Sequence, residues 1–304
     1  MSSPSEIDAS ASARPRRALL VRNPGSRRGG EDFAEIIARL EAGGVTCADA
    51  PEADAAFPAA AEQADLIIVA GGDGTLHHAA PRLIAAKKPF GVLPMGTAND
   101  LARSLCLPDD PLGAADVIVA GHTRRVDLGL VNDKPYFNVA SIGVSVDLAR
   151  ELTQETKKRF GTLGYAVAGL RALTKARRFA ARIENDGRTR RARTFQIAIG
   201  NGRYYGGGMS VDQRCEIGDG RLYLYSLEMR SLWRLALMAL DFRSGAHRNW
   251  EDVRSDVGER FVITTRRPRE INADGEIVAK TPATFTILRD ALEVYAPPPG
   301  SSES

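Results

Sequence analysis

Asp65-Leu66-Ile67-Ile68-Val69-Ala70-Gly71-Gly72-Asp73-Gly74-Thr75 decides how this chain is read. The apolar run through Ala70 does not alternate, so it reads as a strand buried on both faces, the habit of a parallel sheet covered by helices. Thr75 to Ala86 continues as a helix, with Leu76, Leu83 and Ile84 at helical spacing. Glycines at a strand-to-helix turn permit positive φ and close backbone approach. Amides at the helix start present N–H groups and the positive dipole end to an anion. Phosphate suits such a turn, yet Asp73 in its middle repels phosphate unless it holds a divalent cation or a proton. A magnesium-bound nucleotide removes that conflict; a glycine turn with an N-capping Asp is the plainer alternative.

Working outward, Ala18 to Val21 reads as a strand, Glu31 to Glu41 as a helix with Phe33, Ile36, Ile37 and Leu40 on one face, and Val45 to Ala48 as a second strand. Pro89 to Leu93 is a further strand and Ala98 to Leu105 a short helix. Two more polar loops fall at the ends of these strands: Asn23-Pro24-Gly25-Ser26, and Leu93-Pro94-Met95-Gly96-Thr97-Ala98-Asn99-Asp100. Ligands of open α/β sheets bind at the carboxyl ends of the strands, so three such loops converge on one crevice. No G-x-x-x-x-G-K-[ST] is present, nor H-R-D or D-F-G, nor a G-x-G-x-x-G after the first strand. P-loop NTPases, protein kinases and dinucleotide folds are excluded on that ground.

Beyond Asp127 the pattern changes to runs rich in β-branched and aromatic residues: Arg125 to Val131, Tyr136 to Val139, Phe195 to Ile199, Leu222 to Leu227, Phe261 to Thr265, Thr284 to Leu288 and Leu292 to Tyr295. Bounded by Gly, Asn and Asp, they predict a mainly antiparallel second unit. Helical insertions are expected at Gly161 to Ala176 and Ser231 to Asp241, and disorder at 1–16 and 297–304.

The 304 residues suit two domains at roughly 150 residues each. With 43% hydrophobic and 26% charged residues, wholesale disorder is excluded. Lys and Arg total 41 against 38 Asp and Glu, a net +3 that implies no global nucleic-acid or membrane partner, so any basic face is local. Cys47, Cys106 and Cys215 form neither a disulfide framework nor a zinc spacing, which fits a reducing cytoplasm. No stretch of about 18 apolar residues could cross a bilayer.

Taken in order, NPGS at Asn23, GGDGT at Gly71, LPMGTANDLAR from Leu93 to Arg103, NVASIGVSVD at Asn138, NG and YGGGM at Asn201 and Tyr205, DG at Asp219 and DGE at Asp274 resemble the diacylglycerol kinase catalytic-domain family. These are bacterial lipid kinases related to sphingosine and ceramide kinases. GGDGT alone is shared with NAD kinases and phosphofructokinases; its combination with the other motifs is specific. The resemblance implies an α/β nucleotide-binding domain, 17–126 plus a returning strand at 285–296, and a β-sandwich lipid-substrate domain at 127–284, with ATP between them. It carries Asn23, Pro24, Ser26, Gly71, Gly72, Asp73, Gly74, Thr75, Gly96, Thr97 and Asn99 to the nucleotide. Asp219, with the carbonyls of Glu216 and Arg221, matches the family's Mg²⁺-associated loop. The chain departs from the family at His77-His78, where Asn-Glu is usual, and at Gln213-Arg214-Cys215, where Pro-x-Ala is usual.

Asp274-Gly275-Glu276 between two strand-like runs is first of all a hairpin turn. Phosphoryl transfer to an alcohol also needs a carboxylate that takes the hydroxyl proton. Asp274 or Glu276 is therefore expected as proton acceptor, with Asp73 as a third carboxylate on Mg²⁺ or base duty. His77 and His78 diverge by about 100° on a helix and so are not expected to chelate one metal. From Arg171 to Arg193 nine basic residues face two acids, Glu184 and Asp186. The run is either a solvated face or, through Arg177, Arg178, Arg190 and Arg191, a contact with an anionic membrane surface.

The expectation is an ATP- and Mg²⁺-dependent kinase that phosphorylates the primary hydroxyl of a membrane lipid. Diacylglycerol or ceramide leads; phosphatidylglycerol and a sphingoid base stay open. An NAD-kinase-like enzyme and a non-catalytic lipid-binding module are the rivals. A cytoplasmic protein peripheral to the inner membrane, with no nucleic-acid partner, is expected; a homodimer stays open.

Overall fold

Alternating strands and helices build the first unit of the computed structural model: β1 (Arg16–Arg22), α1 (Glu31–Ala42), β2 (Val45–Asp49), α2 (Phe57–Gln63), β3 (Leu66–Gly71), α3 (Asp73–Ala86), β4 (Phe90–Pro94), α4 (Asp100–Ser104) and α5 (Pro111–Ala120). The structure describes residues 15–22, 31–144, 146, 177–205, 209–210, 215–229 and 253–298. Strands β2-β1-β3-β4 pair in parallel. Every residue of β3 is buried. Ile67 and Val69 meet Phe57, Leu76 and Leu83 on one face, while Ile68 and Ala70 meet Ile36, Leu40 and Ile118 on the other. Burial on both faces is why the stretch carries no polar alternation. Helix α5 was not expected from apolar spacing, yet it is well bounded. Asp110 accepts from Gly113 N at 2.8 Å, Pro111 opens the first turn, and Gly121 at φ +83° closes the last.

The second unit contains β5 (Thr123–Val131), β6 (Lys134–Tyr136), β7 (Val139–Gly143), β8 (Phe179–Asn185), β9 (Arg188–Thr194), β10 (Gln196–Gly200), β11 (Tyr204–Tyr205), β12 (Met209–Ser210), β13 (Leu222–Leu227), β14 (Val253–Gly258), β15 (Arg260–Thr265), β16 (Glu270–Ala273), β17 (Glu276–Lys280) and β18 (Ala283–Tyr295). Order β14-β13-β10-β7-β16-β17 forms an antiparallel six-stranded sheet. Its inner face packs on β15, β8 and β18 through Ile142, Ile183, Ile197, Leu224, Phe261 and Phe285, which makes the unit a sandwich.

Strand β18 corrects the sequence reading, which broke it into Thr284 to Leu288 and Leu292 to Tyr295. It is one strand with a register shift between Leu288 and Leu292. Asp290 there takes φ +50°, a bulge rather than an interruption. One edge of β18 pairs with β5 along its length; the other pairs with β15 near its start and with β4 at Val294. The parallel sheet of the first unit and the outer sheet of the sandwich are thus a single ten-stranded sheet.

The Tyr136 to Val139 run, expected as one strand, breaks at Phe137-Asn138 between β6 and β7 for a reason described below. Strand β1 starts at Arg16, inside the tail expected to be disordered. The helices expected at Gly161 to Ala176 and Ser231 to Asp241 lie outside the described residues, as do 1–14 and 299–304. Among the described residues no helix is long and apolar enough to cross a membrane.

Candidate active site

The parallel register that pairs Gly71 with Pro94 places the loops after β3 and β4 side by side, and Met95 N donates to Gly71 O at 3.0 Å. A Cβ on Gly72 would lie 2.8 Å from Gly96 Cα, so glycine at both positions is what lets the loops touch. Asn99 holds the second loop in shape from the left-handed region, φ +51°. Its Oδ1 accepts from Gly96 N at 2.9 Å and its Nδ2 donates to Gly96 O at 3.2 Å. Asp73, in the first turn of α3, accepts from Leu101 N at 3.3 Å. Burial raises its carboxyl above the ordinary range against the opposing pull of that amide and its neighbours. Gly71, Gly72, Asp73, Gly74, Thr75, Gly96, Thr97 and Asn99 therefore share one loop cluster. Asn23, Pro24 and Ser26 lie outside the described residues.

Asp274 faces this cluster from the other unit. It sits in the β16–β17 turn at φ +48°, and Asn272 Oδ1 closes the turn on Gly275 N at 3.0 Å. Its Oδ2 accepts from Phe137 N at 2.6 Å and its Oδ1 from Asn138 N at 3.0 Å and Val139 N at 3.1 Å. Those amides are free for it because the chain leaves β6 and enters β7 there. Burial nevertheless dominates and pushes the carboxyl up to about 7, with the charge of Asp73 adding to the rise. Helix α3, which opens with Asp73, packs against β6, so the two carboxylates come from different units to the same cleft.

Glu276, the first residue of β17, is exposed. Burial lowers the His77 imidazole below its usual value, with His78 adding to the fall and the charge of Glu276 opposing it. His77 Nδ1 is buried without a partner among the described residues, whereas His78 Nδ1 lies 2.7 Å from Gly74 O. The adjacent histidines thus have different surroundings on α3. Next to Asp274, Tyr136 OH and Asn138 Oδ1 are also buried and unpartnered among the described residues.

The Asp219 loop is braced rather than open. Asp219 Oδ1 accepts from Arg221 N at 2.9 Å, its Oδ2 accepts from Tyr223 OH at 2.7 Å, and Glu216 O accepts from Asp219 N at 3.3 Å. No group of three or more metal-ligating side chains occurs among the described residues. Beneath the loop lies Asp127, which the sequence reading did not single out. Its Oδ2 accepts from Gly220 N and its Oδ1 from Asp290 N, both at 2.7 Å, tying the loop to the β18 bulge. Asn201 Nδ2 joins this staple to the Asp274 anchor, donating to Asp127 O at 3.0 Å and Phe137 O at 2.8 Å. A buried Asp two residues before Gly129 and an Asn-Gly pair were the available signals, but neither spacing names a partner.

Of the arginines read as a membrane contact, Arg178 donates to Arg193 O and Glu228 O, and Arg190 pairs with Glu228 and Asp256. Both are half-buried and already hold partners on the protein itself. Arg177 and Arg191 are exposed.

Comparison with known proteins agrees with this arrangement. Residues 17–131 match the diacylglycerol kinase catalytic domain, and 138–296 the YegS C-terminal NAD kinase beta sandwich-like domain. The diacylglycerol kinases of Staphylococcus aureus strains RF122 and MRSA252 are each 31% identical over 93% of this chain and 93% of their own. The crystal structure of a Bacillus anthracis (strain Sterne) protein assigned to the diacylglycerol kinases superposes with a TM-score of 0.80 at 25% identity, over 96% of this chain and 99% of that one.

Proposed function

Since the chain belongs to the diacylglycerol kinase family and is a lipid kinase, we propose that it transfers the γ-phosphate of ATP to the primary hydroxyl of a diacylglycerol-like membrane lipid. The paired glycine loops take the nucleotide phosphates, and Asp274 takes the proton of the acceptor hydroxyl. What carries the reading is the meeting of two carboxylates from different units: Asp274 is held by three amides just past β6, and α3, which opens with Asp73, packs against β6.

A base works best when its pKa lies near the operating pH, and about 7 suits Asp274. Three amides hold it in one orientation, which is what in-line transfer asks of the group receiving the proton. Glu276 is left as the exposed neighbour that steers His77 and the incoming headgroup. His77 Nδ1, Tyr136 OH and Asn138 Oδ1, unpartnered among the described residues, supply hydrogen-bonding positions around Asp274 and Glu276.

The donor set fits a magnesium ion borne by the nucleotide. Such an ion keeps its waters and the phosphates and asks the protein for one or two carboxylates, and Asp73, partly buried and held by the Leu101 amide at 3.3 Å, can serve. The ion would neutralise charge on the transferred phosphoryl group. Asp219, with Glu216 and Arg221, we assign instead to bracing its own loop, which its bonds from Arg221 N and Tyr223 OH tie to the start of β13.

The test is phosphorylation of diacylglycerol, ceramide, sphingosine and phosphatidylglycerol in neutral mixed micelles with ATP and Mg²⁺. Diacylglycerol turnover in the unmodified protein, lost in Asp73→Asn and Asp274→Asn, supports the reading. Turnover of NAD without micelles in place of any lipid would overturn it.

A further inference from the structure

The outer face of the β15-β8-β9 edge carries four guanidinium groups. The register sets Ala180 opposite Arg193, Arg182 opposite Arg191 and Thr264 opposite Arg182. Alternation sends Phe179, Ala181, Ile183 and Ala192 into the core and turns Arg182, Arg191 and Arg193 to the surface. Arg266, just past β15, completes the group around a shallow groove of about 390 Å³ floored by alanine and threonine. Arg182 pairs with Glu184 at 3.0 Å. Arg191, Arg193 and Arg266 have no side-chain partner among the described residues.

Arg182 directly across from Arg191 is a like-charge pair, which weakens a sheet. Nothing in the packing of the hairpin requires it, since both side chains leave the core. An anion above the face relieves the repulsion, and a guanidinium presents the planar fork that matches phosphate oxygens. The family's substrate class selects the partner: a chain that acts on a lipid, with no membrane-crossing helix among its described residues, meets that lipid at the bilayer surface. The ladder order places the face three strand spacings beyond β4, about 15 Å from the nucleotide strands and on the side of the sandwich unit.

We infer that this face, built by Arg182, Arg191, Arg193 and Arg266, docks the protein on the phosphate headgroups of an anionic leaflet. The choice of partner rests on the lipid-kinase reading; the docking itself does not depend on turnover.

Co-sedimentation with vesicles of phosphatidylcholine, with and without phosphatidylglycerol, tests it. Each guanidinium lost is expected to weaken partitioning about fivefold at low salt, so Arg191→Gln, Arg193→Gln and Arg266→Gln together should weaken it more than a hundredfold. The charge-matched control Lys87→Gln, Lys88→Gln, Lys134→Gln should keep most of the binding, and neutral vesicles should bind neither protein. Arg266→Gln alone, outside the hairpin, serves if the triple variant does not fold. Micelle turnover by the triple variant should match the unmodified protein; absence of turnover in both would count against the proposed function and leave the docking result standing. Equal vesicle binding by the triple variant, an equal loss in the control, or arginine-dependent capture of an RNA oligonucleotide in place of vesicles would overturn the inference.

Discussion

Gly72 and Gly96 meet backbone to backbone: a Cβ on Gly96 would fall 2.5 Å from Gly72 Cα and 2.7 Å from Asn99 Oδ1. No side-chain motion relieves a contact with backbone. Gly96→Ala should therefore part the two loops and raise KM for ATP by tenfold or more. Gly74→Ala has nothing within 4 Å of the added methyl and should melt no lower than the unmodified protein. Nucleotide titration beside thermal melts checks both.

Asp274 must be ionised to accept a proton, and its carboxyl lies at about 7. The logarithm of kcat/KM for the lipid should rise with unit slope below that pH and level off above it. Asp274→Asn should lower kcat at least a hundredfold and abolish the limb, whereas Glu276→Gln should leave the limb in place. A limb that moves with Glu276 instead would transfer the base assignment to that residue.

His77 and Asp274 pull stability in opposite directions as pH changes. The folded state holds the His77 imidazole below its unfolded value, so the stability it contributes is present above the unfolded value near 6.5 and lost as pH falls. Asp274 is raised in the folded state, so its contribution is largest at acid pH and declines between about 4 and about 7. His77→Gln should therefore melt higher relative to the parent at pH 5 than at pH 7.5. Asp274→Asn should show the reverse trend, and melting curves across that range decide it.

Removing the Asp127 carboxylate orphans the buried amide of Gly220 and takes away the partner of the Asp290 amide. At about 1–3 kcal/mol for a buried unsatisfied group, Asp127→Ala should destabilise the protein by at least about 1–3 kcal/mol in urea unfolding. The same change should speed hydrogen exchange in the Asp219 loop while leaving the Gly72–Gly96 contact protected.

The parts of the fold legible in the sequence are those with one dominant local signal. The β3 run and its glycine turn announced the parallel sheet, because full burial leaves no polar residue in the strand. Helix α5 was passed over although Asp110, Pro111 and Gly121 mark both ends, since its Ala-rich body shows little apolar periodicity. The β8–β9 hairpin around Asn185-Asp186-Gly187 was hidden inside a charge run that drew attention to membranes. At the site, the residues that carry chemistry stood in recognisable motifs, but their supports did not. Asp127 and Asn201 act through partners from 64 to 163 residues away, a separation that no local pattern encodes. The pairing of Arg178 and Arg190 with Arg193, Glu228 and Asp256 is likewise a product of tertiary packing.

Strand β18 has a consequence for how the chain is made. The first unit's helices and parallel strands are complete by residue 120, yet β4 has an unpaired edge until Val294 arrives. A two-domain protein ordinarily folds its N-terminal domain during synthesis; here the last strand in the described chain order closes that sheet. The first unit therefore keeps an open strand edge, the kind that invites pairing with another chain, until residue 294 is available to cover it.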